Sequence, residues 1–423
     1  MHPDLPQHLH RYAIEAMKAG KLAAADLALR HVLDLEPDNA PVLHLLGVIA
    51  ARVGARESSI SHFRQALALE PDNASIRENL RLAENLKPPV MPAGDRYLLI
   101  KSWGFGFWAD VSQVIGSLLL AEAAGRIPVT HWGSNSLFSD KSERDAFGFY
   151  FEPVSAVSFE ALAKIGPASF FPPRWHKDNL TENSIAKWEG KSSRAGAVYF
   201  LNRPETIAVS DFMIGVAEVA PWLPTSHPLH GKPVAEIYRQ LLARYLRPQP
   251  DILAERDSFL ERHFKDRPFV ALHMRGSDKR GEDPDLEGTH AALVGTLDAA
   301  DPSWPILLLT EDTGCLARMK ERYGARLFAT DCQRTTTQEG VHYLPATNPV
   351  RAGREVLIDA LLALKAHHFI GSGHSNVSAM IALMKDTGSC TLIGNSMLLE
   401  PNLHVHQIPI FEGAAGESAT GGS

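Results

Sequence analysis

The sequence predicts an α/β protein with parallel sheets, preceded by a small all-α module. Three observations carry that prediction. From residue 96 to residue 393, short apolar runs alternate with amphipathic helical stretches, as strands joined by helical crossovers require. Polar chemistry crowds the carboxyl end of one such run, Phe269-Val-Ala-Leu-His-Met-Arg-Gly-Ser-Asp-Lys279, and open parallel sheets bind ligands beyond the carboxyl ends of their strands. Ahead of this region Asp34-Leu-Glu-Pro-Asp-Asn39 returns as Ala68-Leu-Glu-Pro-Asp-Asn73, a spacing typical of a helix-turn-helix solenoid.

Composition narrows the class. A chain of 423 residues, 45% hydrophobic and 22% charged, is long enough for two or three domains. Its net charge of −7 argues against a general nucleic-acid binder, which needs a basic surface to replace counterions. Cys315, Cys332 and Cys390 are too scattered for a disulfide framework or a CxxC metal site. His131, His176, His227 and His230 lack ligand spacing, so no metal is expected. No run of about 18 apolar residues occurs, and Met1-His-Pro-Asp-Leu-Pro6 does not read as a signal peptide. A cytoplasmic protein with no membrane span is the expectation.

Taken in order, residues 1–86 form the helical module: Gly20 recurs as Gly54, Leu29 as Phe63 and Val32 as Ala66, and a further helix runs from Ala74 to Asn85. The proline-rich break Lys87-Pro-Pro-Val-Met-Pro-Ala-Gly94 opens a first α/β domain, 95–247. There a strand (96–101), a turn with Gly104 and Gly106, a helix (111–124) and a strand (127–132) make a βαβ unit. The two glycines let a backbone approach an anion at a helix start. Residues 133–223 are irregular and aromatic-rich, with Asn135, Phe147-Gly-Phe-Tyr-Phe151, Trp175, His176 and Lys177 as candidate acceptor contacts against a plain core-packing reading. Pro248 and Pro250 mark a hinge into a second domain, 248–412, in which helices and strands alternate to residue 393, and the Gly/Ala/Ser-rich 413–423 is expected to be disordered.

Three features of the second domain fall at one rim of its sheet. They are the 269–279 motif, Asp359 in the helix Arg354-Glu-Val-Leu-Ile-Asp-Ala-Leu-Leu-Ala-Leu-Lys365, and the hydroxyl-rich turn Gly371-Ser-Gly-His-Ser-Asn-Val-Ser378. An arginine fork and a serine-rich helix start suit a diphosphate without a cation.

These motifs resemble two known families. With Leu43, Leu46, Gly47, Phe63, Ala66 and Pro71 in the usual places, the module resembles tetratricopeptide repeats, although Leu43 stands where tryptophan is usual. Such a module offers a groove for a protein partner, or a surface for self-association or packing. His273-x-Arg275-x-x-Asp278, Leu307-Leu-Leu-Thr-Glu-Asp312, the 356–364 helix and the 369–378 turn, in that order, resemble the fucosyltransferase superfamily of α-1,6-, nodulation and protein O-fucosyltransferases.

That resemblance implies a GT-B pair of Rossmann-like domains. It implies metal-independent, inverting transfer from GDP-fucose to a glycan, lipid-linked or protein acceptor, with no further cofactor. Arg275 would bind the diphosphate and support the leaving group. His273, Asp278, Lys279, Gly104, Gly106, Ser372 and Ser375 would help hold the donor, and Asp359 would read guanine. For the base, Glu282, Asp283 and Glu287 all follow the motif, with Glu282 and Asp283 the leading candidates. Asp283-x-Asp285 mimics a metal-binding DxD but sits beside Pro284. The departures are Gly276, where many α-1,6 members have a second arginine, and Phe107 and Trp108, where relatives carry an amide or acid, with Asp110 nearby as a substitute. Another nucleotide-sugar, or a non-catalytic scaffold, is the alternative.

Overall fold

The computed structural model describes residues 4–87, 90–182, 195–265, 267–276, 285–337, 339–385, 387–396 and 398–399. The module comprises α1 (Leu5–Lys18), α2 (Leu22–Leu35), α3 (Ala40–Arg52), α4 (Arg56–Leu69) and α5 (Ala74–Glu84). The repeated hexapeptide is a helix-start device. Asn39 accepts from the Val42 amide at 3.0 Å and Asn73 from Ser75 and Ile76, while Glu36 and Glu70 each hold the asparagine amide at 2.8 Å. Gly47 recurs for a packing reason: a Cβ there would lie 2.5 Å from the Phe63 ring.

The module is fused to the body through α2. Leu22 donates its amide to Tyr199 Oη at 2.7 Å, Tyr199 Oη donates to Gly20 O, and Asn202 Nδ2 donates to Val53 O. Buried Asp26 accepts from Trp222 Nε1 at 3.3 Å and pairs with Arg30, whose guanidinium lies 5.0 Å above the Trp222 ring. Asp26→Ala strands an almost buried guanidinium and an indole N–H. It is expected to cost about 3 kcal/mol, read as a lower denaturant midpoint; an unchanged midpoint would show that this lock carries no weight.

The first sheet has the order β2-β1-β4-β3, all parallel: β1 (Tyr97–Lys101), β2 (Ile127–His131), β3 (Phe170–Phe171) and β4 (Ile207–Ser210). It is served by α6 (Phe107–Ala123), α7 (Phe159–Ala163), α8 (Val216–Val219) and α9 (Val234–Tyr245). The 133–223 stretch is therefore not irregular throughout, since it supplies β4, the direct neighbour of β1. Arg96 and Arg126, which precede β1 and β2, both donate to Arg203 O ahead of β4. Asn202 touches the module beside them, so the repeats reach this sheet at its amino ends.

The second sheet follows α10 (Pro250–His263). It contains β5 (Val270–His273), β6 (Ile306–Leu309), β7 (Leu327–Phe328), β8 (His368–Ser372) and β9 (Cys390–Ile393), with α11 (Leu286–Asp298), α12 (Thr313–Tyr323), α13 (Pro349–Lys365) and α14 (Asn376–Met384) between them. Its order β7-β6-β5-β8-β9 is all parallel and doubly wound, with the strand order reversing between β5 and β8. Successive β5 side chains enter different cores. Ala271 packs with Leu307 and Phe369, while Val270 and Leu272 pack with Leu293, Leu308 and Met319. The two sheets are brought together where α6 meets α14 and where Tyr150 packs on α13. A Cβ at Gly353 would lie 2.5 Å from Tyr150 Oη. Among the described residues no helix is long and apolar enough to cross a membrane.

Candidate functional site

β5 ends at His273, and Met274, Arg275 and Gly276 pass over the rim. Beside it β8 ends at Ser372, and Gly373-His374-Ser375 turns into α14. The reversal of strand order lies between these two ends, where a doubly wound sheet leaves a crevice. A cleft of about 130 Å³ opens there between the two α/β bodies. Gly106, Phe107, Trp108, Ala109 and Phe138 form one wall; His273, Arg275, Glu311, Asp359 and Asn376 are among those opposite.

Arg275 also borders a small adjoining recess of about 20 Å³ with His290, Ser372, His374 and Ser375. His290 Nε2 donates to Arg275 O at 2.8 Å, pinning the turn, and Glu311 Oε1 lies 3.6 Å from Arg275 Nε. Ser375 is 2% exposed, and its Oγ has no hydrogen-bond partner among the described residues. It precedes α14 without capping it. Arg275 and the first residues of α14, Asn376 and Val377, line the same cleft, and a guanidinium beside a helix start suits an oxyanion. Gly373 is required by close approach: a Cβ there would lie 2.5 Å from Asn395 O.

His273 is buried, with Nδ1 2.7 Å from Ser378 Oγ. Burial first, then the charges of Arg275 and His290, push its pKa down to about 3. It is a neutral ring that orders the β5 rim. Asp359 lies on the cleft wall, 8% exposed, and accepts from Thr330 Oγ1 at 2.6 Å. Burial pushes its pKa up to about 6 against the opposing effects of the Thr330 bond and Arg334. An ionised carboxylate in a dry wall is a strong acceptor for ligand N–H groups.

Across from these, Gly106 starts α6 and lines the cleft, whereas Gly104, at φ 78°, gives its amide to Asp110 Oδ1 at 2.9 Å. Asp110 is fully buried and also takes the Phe105 amide and Ser102 Oγ, so it shapes the turn and does not stand in for a ligand-facing acid. Phe107 sits in a cluster with Trp132, Phe138 and Tyr150. Phe147, Tyr150 and Phe151 belong to the same core, Asn135 holds Ser102 O, and Trp175 donates to Asp211, so the aromatic-rich stretch packs as core. Exposed His176 and Lys177 are not on the cleft.

The fold is GT-B-like: two Rossmann-like parallel sheets with a cleft between them. No protein-family model and no curated protein matches the chain. Solved structures do. Fucosyltransferase NodZ from Bradyrhizobium is 17% identical, with 69% of this chain and 94% of that chain covered and a TM-score of 0.47. FUT1 of Arabidopsis thaliana, bound to GDP, is 10% identical, with 82% and 80% covered and a TM-score of 0.44. POFUT1, bound to GDP-fucose, is 14% identical, with 72% and 100% covered and a TM-score of 0.42.

Asp278, Lys279, Glu282 and Asp283 lie outside the described residues. Gly276 is explained, because any Cβ there would collide with the Asp312 carboxylate, which caps α12 through the Cys315 amide at 2.8 Å. A second arginine has no room beside it. The structure also brings Phe138, Cys332, Gln333, His342 and Glu355 to the cleft. Glu355 is engaged by Arg351 at 2.6 Å and by the Gln333 amide at 2.8 Å. Among the described residues no group of His, Cys, Asp and Glu is placed to hold a metal ion.

Proposed function

We propose that the protein is a glycosyltransferase whose donor is a nucleotide-sugar, GDP-fucose in the fullest form of the reading. The observation that carries it is Arg275, which lines both the cleft with Asn376 and Val377, the first residues of α14, and the recess with Ser372 and Ser375. Its donors complement a diphosphate, and Asp359 on the same cleft complements the N1–H and amino group of guanine. His273, Ser372 and Gly106 complete the donor subsites.

In the proposed reaction the acceptor hydroxyl attacks the anomeric carbon from the face opposite GDP. The new C–O bond forms as the bond to the phosphate oxygen breaks, GDP leaves with the electron pair, and the hydroxyl proton passes to a carboxylate. Inversion follows. Arg275 and the α14 amides stabilise the charge growing on GDP without a metal. Asp283 and Glu282 remain the proposed bases, and Asp278 and Lys279 proposed donor contacts. The acceptor is a glycan, a lipid-linked sugar or a protein, handled in the cytoplasm. The helical module, read as tetratricopeptide repeats, serves a protein partner or self-association. Its contact with the amino ends of the first sheet, away from the cleft, supports assembly over acceptor feeding.

Calorimetric titration with GDP, UDP and GDP-fucose in the presence of chelator tests the reading. Binding of both guanine nucleotides but not of UDP is expected. Binding of none would overturn it in favour of a scaffold.

A further inference from the structure

If the cleft takes a nucleoside diphosphate as proposed above, the direction in which the Arg275 side chain leaves the rim decides how well it meets the phosphate oxygens. The main chain there is gripped from two sides. On the amino side the hydrogen bonding of the sheet reaches one residue past β5, where the Met274 amide donates to Leu309 O at 3.0 Å. On the carboxyl side the chain continues into Gly276, and the Arg275 carbonyl accepts from His290 Nε2 at 2.8 Å. That carbonyl belongs to the peptide plane between Arg275 and Gly276, so the bond restrains one of the two soft dihedrals of Arg275. Glycine makes the restraint matter more, because a residue without Cβ resists rotation of that plane least.

His290 is itself placed by the core. Leu286, His290, Leu293 and Leu297 recur at helical spacing along α11. Leu293 and Leu297 are buried with Val270 and Leu272 of β5 and Ile370 of β8. One turn earlier, His290 lines the recess with Arg275, Ser372 and Ser375. A carbonyl oxygen carries no proton, so Nε2 must, and the bond selects one form of the ring. The rim after β5 is thus held between its own ladder and a side chain of α11.

We infer that His290 is a positioning residue for the donor diphosphate: it acts through Arg275, by holding the peptide plane that directs this side chain toward the cleft. Groups that bind a ligand work only within a narrow range of geometry, and partners one step removed from the ligand hold them there. The effect of His290 on a diphosphate therefore exists only while Arg275 is present.

The test is a double-mutant cycle on the full chain, with GDP as the ligand, read by calorimetry and, for weak binding, by phosphorus NMR of the nucleotide. His290→Leu removes the donor and is expected to weaken GDP binding about 10-fold. His290→Gln, whose amide can reach the same carbonyl, should recover most of that loss. In the Arg275→Ala background, His290→Leu should change GDP affinity by less than about twofold. If the wild-type protein binds no GDP, the donor reading itself fails. If it binds GDP and Arg275→Ala weakens it while His290→Leu does not, the donor reading stands and the role of His290 is overturned. An equal loss from His290→Leu in both backgrounds overturns it too, because His290 would then act on the ligand directly or on the fold at large. Thermal unfolding without nucleotide shows which variants are folded, and His290→Asn, with a shorter amide, replaces His290→Leu in the cycle if leucine is not tolerated.

Discussion

Arg275→Ala is expected to weaken GDP binding by about 100- to 1,000-fold and to slow GDP release from GDP-fucose by at least as much. The size follows from the setting. Arg275 is the guanidinium common to the cleft and to the recess that holds Ser375. Its carbonyl is held by His290, and its Nε lies 3.6 Å from Glu311 Oε1. A diphosphate gains negative charge as the sugar departs, so an arginine here acts more strongly on the transition state than on the bound donor. Arg275→Lys separates charge from geometry, since lysine keeps the cation and loses the planar fork. It is expected to recover part of the binding and little of the turnover. The empty variants should unfold near the wild-type temperature, because the side chain is partly exposed and its Glu311 pair is long. GDP affinity unchanged in Arg275→Ala would remove the diphosphate from this rim altogether.

The sequence shows the strands that are locally continuous and the residues that follow them. Val270–His273 is a fully buried apolar strand, and the polar residues after it mark the rim before any coordinates are seen. Asp359 is marked out by its place in a motif of the resembled family, and it lines the cleft. Ile207–Ser210 is not legible, because four residues inside a loop-like region become a strand only by pairing with β1, more than a hundred positions earlier. The resemblance offers Asp110 in place of the relatives' amide or acid, yet its carboxylate turns back to the Gly104 and Phe105 amides. Cys332, Gln333 and His342 reach the cleft on loops held by long-range bonds, which leave no periodic trace. Gly276 is visible as a departure, but its cause is a contact with Asp312 across the rim.

Asp359→Asn is expected to destroy the preference for GDP over UDP while making the empty protein more stable. Thr330 holds Oδ1, so the substituted amide would turn its nitrogen toward the base. Donors would then face the donors of guanine, and GDP affinity should fall by about 100-fold or more. Xanthosine diphosphate carries a carbonyl oxygen in place of the amino group, so the variant should bind it better than it binds GDP.

Stability moves the other way. Burial holds the Asp359 pKa at about 6 against an ordinary value of 3.8, so between those pH values the unfolded chain has released this proton and the folded chain still binds it. Stability therefore falls as pH rises through that window and levels off above about 6. Asparagine removes this slope and contributes up to about 3 kcal/mol above it. In the wild-type protein guanine restores what burial takes away, because its N–H groups favour the ionised carboxylate. GDP affinity should then drop about tenfold for each pH unit below 6, a fall that Asp359→Asn should not show. A variant that lost GDP and lost stability together would instead make Asp359 a packing residue, and guanine would have to be read elsewhere.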